Sequence, residues 1–339
     1  MKSITCDVLR RLADGDFHSG EVLARALGLS RASVWLAVRE IGAAGLEVYR
    51  VRGRGYRLAQ PLSLLQREAV LRDLGADAVH FNIEILDSAS STNTLAMQRA
   101  QQGAPGGLVI AAEWQEAGRG RMGRAWHSGV GGALTFSLLW RFTQGAAFLS
   151  GLSLAVGVAL IRALRTLGLD EAGLKWPNDV VWRGNKLAGI LIEMQGDMLG
   201  PSAAVIGVGV NLRLSDAVRG RIDQAAADLE TACGRPLDRN QLLALLLKEL
   251  RRVLEAFARE GLAPLRAEWQ RYHAHQDQAV TLILPDARSE QGFARGVAED
   301  GALLIETPAG IRRYHSGEIS LRPAAARAMR QAPRRKAGT

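Results

Sequence analysis

The sequence predicts a multidomain α+β chain, and three changes of pattern along it are the reason. Residues 1–60 join two helix-like apolar stripes to an arginine-rich hairpin. The middle of the chain interleaves β-branched runs with amphipathic helices, as a mixed sheet with packed helices requires. From Asp277 onward β alternation takes over, broken by Pro285, Asp300-Gly301 and Ala309-Gly310, which predicts a small β-barrel. At 339 residues, 47% of them apolar, there is material for several cores. The expected divisions are 1–60, a helical linker 61–80, a central domain 81–270, the barrel 271–322 and a basic disordered tail 323–339.

Gly20–Leu27 and Arg31–Ile41 read as two helices joined by the tight turn Gly28-Leu29-Ser30. Ser30 is placed as N-cap, and Val34, Val38 and Ile41 form an apolar stripe. Val48–Leu58 follows as two strands around Gly53-Arg54-Gly55. Helix, turn, helix and hairpin in this order resemble a winged helix-turn-helix DNA-binding domain. The resemblance makes Arg31–Glu40 the recognition helix, with Arg31, Ser33, Trp35 and Arg39 facing DNA and Arg50, Arg52 and Arg54 on the wing. Charge agrees: residues 1–60 carry ten Lys/Arg against six Asp/Glu, and 322–339 carry six Lys/Arg and no acid. Residues 61–321 come to −1 of the chain's +9, so the basicity belongs to the two ends.

Leu62–Gly75 reads as an amphipathic connecting segment. Ser90-Ser91-Thr92-Asn93 is a polar cluster suited to cap a helix over Thr94–Gln102, or to bind a ligand. Gly118–Arg124 (Gly-Arg-Gly-Arg-Met-Gly-Arg) combines close backbone approach with forked donors, the chemistry of an anion-binding loop. It also spells G-x-G-x-x-G. A dinucleotide site needs a following helix and an acid about twenty residues on, whereas this loop leads into the β-like run Leu134–Trp140 with no acid from 125 to 145. Lys175-Trp176-Pro177-Asn178-Asp179 gathers a cation, an amide and a carboxylate in one turn. Lys186–Glu193 starts a strand with a lysine, and in Ile206–Leu212 glycines alternate with β-branched residues, a strand with a bare face. Gln241–Glu260 is a helix whose Leu243, Leu246, Leu247, Leu250, Val253, Leu254 and Phe257 form a core stripe.

Together these segments resemble the biotin–protein ligases: the arginine loop, Lys-Trp-Pro-Asn-Asp at 175–179, Lys-Leu-Ala-Gly-Ile at 186–190, the strand ending at Asn211, and Gly317–Arg322 as closing motif. Met122 departs from the pattern, which usually has arginine there. The resemblance implies a class II synthetase-like central domain and an SH3-like C-terminal barrel. It implies two steps: biotin's carboxylate attacks the α-phosphate of ATP to give biotinyl-5′-AMP, and a carrier-protein lysine then displaces AMP. By position, Ser91, Thr92, Asn93, Gln115, Gly118, Arg119, Gly120, Arg121, Lys186 and Gly189 would bind biotin. Arg121, Arg124, Lys175, Asn178, Asp179, Asn211 and Arg322 would face ATP. Lys186, Arg121 and Lys175 would be the catalytic cations, and Asp179 would meet Mg²⁺ directly or through a water.

Ligases that also carry a winged domain resemble the bifunctional ligase and biotin-operon repressor. This implies adenylate as corepressor, a homodimer when adenylate is bound, operator DNA, and the biotin carboxyl carrier domain of acetyl-CoA carboxylase as partners. Gly118–Gly132 and Arg213–Ile222 are the candidate ordering loops. Competing readings are a lipoate ligase, for which an arginine-serine-glycine-glycine loop is expected, a biotin-sensing transcription factor without transfer activity, and a ligase with a silent DNA domain. Nothing in the sequence reads as a membrane span or secretory leader, and Cys6 and Cys233 lack metal spacing, so the expected location is cytoplasmic. His273 and His275, with no third ligand nearby in sequence, read as structural. G-x-S-x-G and Gly-Lys-Ser/Thr motifs do not occur.

Overall fold

In the computed structural model, which describes residues 3–283, 289–315 and 320–323, the N-terminal unit is three helices and a hairpin. α1 (Ser3–Leu12), α2 (Gly20–Leu27) and α3 (Arg31–Ala43) enclose Val8, Leu9, Leu12, Leu23, Val34, Val38 and Ile41, and β1 (Val48–Val51) pairs antiparallel with β2 (Gly55–Leu58). The expected turn forms for two local reasons. Gly28 ends α2 in the left-handed region at φ 66°, and the Ser30 hydroxyl accepts the Ser33 N–H at 3.0 Å to start α3. α1 adds an element not foreseen; its buried Val8, Leu9 and Leu12 are spaced for one helical face.

The central part contains α4 (Arg67–Leu74), β3 (Asn82–Ala89), α5 (Thr92–Gln101), β4 (Leu108–Gln115), β5 (Ala133–Phe142), α6 (Leu152–Thr166), β6 (Ala172–Lys175), β7 (Asp179–Trp182), β8 (Asn185–Gly196) and β9 (Ser202–Asn211). After these come α7 (Asp216–Arg219), α8 (Leu229–Cys233), α9 (Arg239–Glu260) and α10 (Ala263–Tyr272). The strands form one seven-stranded sheet in the order β3-β4-β5-β9-β8-β7-β6, with β3 and β4 parallel and the rest antiparallel, the mixed sheet expected. One face takes α6 and α9 with the main core; the other takes α5, packed over Leu108, Ile110, Leu139 and Val205. The predicted stripe of α9 is buried throughout.

In this central part three elements differ from the sequence expectation. α6 was not foreseen, because residues on every side of it are buried and no amphipathic stripe marks it. α4, expected as part of a connector, packs on α9 and puts Val70 and Leu74 in the central core. α5 begins at Thr92, two residues early, because Ser91 itself is the cap.

The connector before α4 is held by buried polar groups. Glu113 on β4 accepts the Leu65 N–H and pairs with Arg239, which is fully buried at the start of α9. Arg239 also donates to the Ser63 carbonyl at 3.3 Å, and Asn240 bonds both Leu64 O and the Gln66 N–H at 3.1 and 2.7 Å. A buried ion pair stabilises little in net terms, but losing one partner leaves a charge without compensation.

Beyond α10, β10 (Ala279–Ile283), β11 (Ser289–Val297), β12 (Leu303–Thr307), β13 (Gly310–Tyr314) and β14 (Ser320–Pro323) form an antiparallel five-stranded sheet, ordered β13-β12-β11-β10-β14. Among the described residues β13 and β14 are its two edges, so the expected barrel is seen as an open sheet. It docks on the central domain: Val280, Leu282 and Leu303 join the main core, and the buried Trp176 indole donates to Gly301 O at 3.1 Å. The tail from 324, residue 316 and residues 317–319 of the closing motif lie outside the described residues. At the junction, His273 and His275 are buried, the first tilted over Trp269 at 4.7 Å between ring centroids.

Two stability outcomes follow from these buried groups. Arg239→Met should cost about 3–5 kcal/mol by stranding Glu113, and adding Glu113→Gln should recover part of the loss, both read by urea unfolding. Burial depresses His273 and His275 from 6.5 to about 4, with His275 adding to the effect on the first and Lys175 on the second. Between those values the unfolded chain binds protons that the folded chain refuses. Stability should therefore fall as pH drops from 6.5 towards about 4. Thermal midpoints through that window should decline less steeply for His273→Phe.

Candidate functional site

The face of the sheet that carries α5 opens into a cleft because two neighbouring strands lack side chains there. In β9, Ile206, Val208 and Val210 point to the main core, and alternation sends Gly207 and Gly209 to the cleft. A Cβ on Gly207 would meet Asn93 Oδ1 at 2.1 Å, and one on Gly209 would meet the Trp126 ring at 2.6 Å. On β8, a Cβ at Gly189 would touch both Lys186 and Trp126, at 3.1 and 3.3 Å. The glycines are thus what allows Asn93 and Trp126 to lie on the sheet.

One wall of the cleft is a polar cluster at the start of α5. Gln115 Oε1 accepts the Thr92 N–H at 2.7 Å, and Ser137 Oγ lies 2.6 Å from Asn93 Oδ1 and 2.8 Å from Thr92 Oγ1. Asn93 Nδ2 donates to Glu193 at 3.0 Å, and Glu193 pairs with Arg119 at 2.6 Å. Ser91 caps the helix, its hydroxyl facing the Thr94 N–H, Thr92 and Asn93 form the first turn, and all three line the cleft.

The arginine loop forms the rim. Gly120 N–H donates to Arg124 O at 2.7 Å and Trp126 N–H to Gly118 O at 2.8 Å, closing a hairpin whose tip holds Met122 at φ 54°, 73% exposed. Arg121 turns inward and donates to Asn178 Oδ1 at 3.0 Å, while Asn178 Nδ2 donates to Ile190 O at 2.7 Å. Burial lowers the Arg121 pKa, Arg124 adds to that and Asp179 opposes it. A cation so placed gains from an arriving anion.

Lys186 reaches the cleft through a β-bulge. The β7–β8 register shifts between Val180 and Val181, so Leu187 and Ala188 both enter the core and Lys186 turns to the cleft face. Its Nζ lies 2.7 Å from Asp179 Oδ1, with both side chains mostly buried. Its backbone is held by residues 225–227, with Lys186 N–H on Ala225 O and Ala227 N–H on Lys186 O, each at 2.9 Å.

The structure thus brings Ser91, Thr92, Asn93, Gln115, Arg119, Gly120, Arg121, Asn178, Lys186 and Gly189 to one cleft, with Asp179 bonded at its edge. Gly118 supports Trp126 from below; a Cβ there would meet Trp126 O at 2.6 Å. Lys175 sits opposite Asp179 in the β6–β7 pair, and Arg124 is exposed at the base of the loop. Asn211 serves as a strut, with its amide on Lys186 O and Ala227 O at 3.2 and 3.1 Å. Arg322 lies on β14 opposite Thr281, and its side chain lies outside the described residues. Sequence reasoning missed Trp126, Thr135, Ser137 and Glu193. Thr135 and Ser137 were signalled by polar residues two apart inside an apolar strand; Trp126 had no local signal, since its role comes from glycines on distant strands.

On the N-terminal unit, Arg31, Trp35 and Arg39 are exposed on α3 and Arg50, Arg52 and Arg54 on the hairpin. Arg39 lies over Trp35 at 4.8 Å and Arg54 over Phe17 at 4.2 Å. Ser33 is partly occupied by its contact with Ser30, 2.9 Å between hydroxyl oxygens.

Comparison with known proteins agrees with this architecture. Residues 85–211 match the biotin/lipoate A/B protein ligase family, 275–322 the biotin protein ligase C terminal domain, and 7–57 an HTH domain. The bifunctional ligase/repressor BirA of Escherichia coli K12 is 39% identical over 322 residues, spanning 95% of this chain and 98% of that protein. BirA of Bacillus subtilis 168 is 31% identical over 313 residues, 91% and 95% of the two chains. The structure of biotin protein ligase from Aquifex aeolicus in complex with biotin and ATP matches with a TM-score of 0.61 at 28% identity, over 72% of this chain and 99% of that one. No helix among the described residues is long and apolar enough to cross a membrane. Since matched segments of both kinds, ligase and helix-turn-helix, lie within a relative aligned nearly end to end, the chain belongs to the family of bifunctional biotin ligase/repressors.

Proposed function

We propose that the cleft makes biotinyl-5′-AMP from biotin and ATP, that the biotin then passes to a lysine of a biotin carboxyl carrier domain such as that of acetyl-CoA carboxylase, and that the N-terminal domain binds operator DNA when adenylate is present. The observation that carries the reading is the meeting of Arg121, Asn178, Lys186 and Asp179 with the polar wall at α5 in one cleft. A carboxylate acid on that wall, between Lys186 and Arg121, would have both its own charge and the α-phosphate oxygens faced by fixed cations. In the first step a biotin carboxylate oxygen bonds to the α-phosphorus and pyrophosphate leaves. In the second the carrier lysine nitrogen attacks the acyl carbon, loses a proton, and AMP leaves. Neither step needs a covalent enzyme intermediate, and positioning plus electrostatics can carry both.

The donor set fits a magnesium ion that arrives with ATP. Asp179 supplies one carboxylate, already engaged by Lys186 through Oδ1, and among the described residues no cluster of three His, Cys, Asp or Glu offers a metal cage. One carboxylate beside substrate phosphates is an ordinary magnesium environment, and the ion would supply charge neutralisation of those phosphates. Biotin's rings would lie over the bare strand at Gly207 and Gly209, between the side chains of Leu191 and Trp126.

Repression would follow from linkage. The two candidate ordering loops approach each other at Arg221 and His127, 3.3 Å apart, so an adenylate between them would order both and lower the entropy cost of forming a homodimer. A cytoplasmic enzyme would meet its carrier there, and carrier biotinylation would compete with repression by consuming adenylate.

Gel-shift binding to the chain's own upstream DNA should appear with biotin plus MgATP and fade as added carrier domain becomes biotinylated in the same tubes. Biotinylation without a shift would leave a ligase with a silent DNA domain, and a shift without biotinylation a sensor. Lys186→Ala should cut pyrophosphate release about a hundredfold to a thousandfold; equal turnover would remove Lys186 from the mechanism. Arg52→Ala with Arg54→Ala should weaken DNA binding and flatten its dependence on log salt by about 0.9 per lost phosphate contact. An unchanged slope would exclude the wing.

A further inference from the structure

The outer face of α3 is made largely of apolar side chains. Ala32 is exposed, Trp35 is 42% exposed and Leu36 58%, while the opposite face buries Val34, Ala37, Val38 and Ile41 in the domain core. Large apolar groups at such exposure on a helix of a small domain gain free energy only when something covers them.

Charge identifies what covers them. Arg31 and Arg39 bracket the apolar patch on the same helix, and Arg50, Arg52 and Arg54 stand exposed on the adjoining hairpin. Five exposed arginines thus lie on the patch's own helix and on the hairpin next to it, which favours a polyanion whose inner surface is partly apolar. A duplex major groove has that character where thymines present their C5-methyl groups, and side chains such as alanine and aromatic rings contact them there. Asparagine and glutamine, the usual bidentate partners of adenine, are absent from residues 31–43. Arg39 is held over the Trp35 indole at 4.8 Å, which stiffens the large ring and keeps the guanidinium beside it.

Resting on the DNA-binding reading above, we propose that α3 reads thymine methyl groups through Ala32, Trp35 and Leu36, so that operator choice depends on apolar contact in the major groove more than on hydrogen bonds to base edges. Arg31 and Arg39 at the ends of the patch anchor it to phosphate or guanine, and the wing adds phosphate contacts that carry no sequence information.

The full-length protein, with biotin and MgATP present, is used to select duplexes from a random library. The enriched sequence is then rebuilt with deoxyuridine in place of each thymidine, which removes the methyl group and keeps every base-pair hydrogen bond. The thymine duplex should bind about threefold to fourfold more tightly for each contacted methyl, and single replacements should locate those positions. Trp35→Ala with Leu36→Ala should erase the difference between the two duplexes; the wild-type comparison stands even where that variant fails to fold. Equal wild-type affinity for both duplexes overturns the proposal and leaves DNA binding in place. Failure to enrich or bind any duplex overturns the DNA-binding reading and this proposal with it. Loss of self-association in the double variant, with no methyl effect in the wild type, would assign the patch to pairing between copies of the chain and likewise overturn methyl reading.

Discussion

The close approach of side chains to the bare face of β8 and β9 is the constraint on which the rest of the site depends. Gly207 and Gly209 alternate with Ile206, Val208 and Val210, so a single strand supplies core on one side and space on the other. Into that space go Asn93 from α5 and Trp126 from the arginine loop, one from each flank of the cleft. Asn93 ties the helix start to Ser137 and Glu193, and Glu193 in turn takes Arg119 of the loop. The helix cap, the sheet and the loop are thus joined by one polar chain resting on glycine. A methyl group at 207 could not be absorbed by a small shift, because the contact at 2.1 Å is with a side chain that is itself bonded on both of its polar ends.

The second dependence is the bulge that aims Lys186. Alternation alone would place Lys186, Ala188 and Ile190 on one face of β8, which is the core face. The extra residue at Leu187 reverses the parity, and the backbone bonds to Ala225 and Ala227 hold the reversed strand end in place. Asn211 fastens the same point from β9. Asn211, expected to face the nucleotide, also fixes the strand that carries the lysine.

This explains which parts were legible in the sequence. Local rules sufficed for the turn at Gly28 and Ser30, for the stripe of α9 and for the alternation of β9, since each is set by neighbours within a few residues. α6 was not legible, because a helix buried on every side has no polar face to give it a period. Ser91 to Asn93 were ambiguous for a sound reason, as one short cluster both starts a helix and lines the cleft. Trp126 could not be read at all: its position is fixed by Gly118, Gly189 and Gly209, residues brought together only by the fold. The Arg239–Glu113 pair had no signal either, being 126 positions apart.

The two groups of cations in this chain are arranged for different tasks. In the cleft, Arg119 has Glu193, Lys186 has Asp179, and Arg121 has the amide oxygen of Asn178, so each side chain is oriented before any substrate arrives. Lys186 and Arg121 are held in fixed directions in a partly buried place, where salt screens little, whereas Arg119 is exposed at the rim. On the N-terminal unit the arginines are exposed, and Arg39 and Arg54 lie against aromatic rings. They create a field at the surface, which salt screens strongly. The body of the chain between the two basic ends is almost neutral, so that field belongs to the ends alone. On the proposed function, ionic strength should separate the two activities: DNA association should fall with added salt more steeply than adenylate formation, because Lys186 and Arg121 are largely buried while the arginines of the N-terminal unit are open to water.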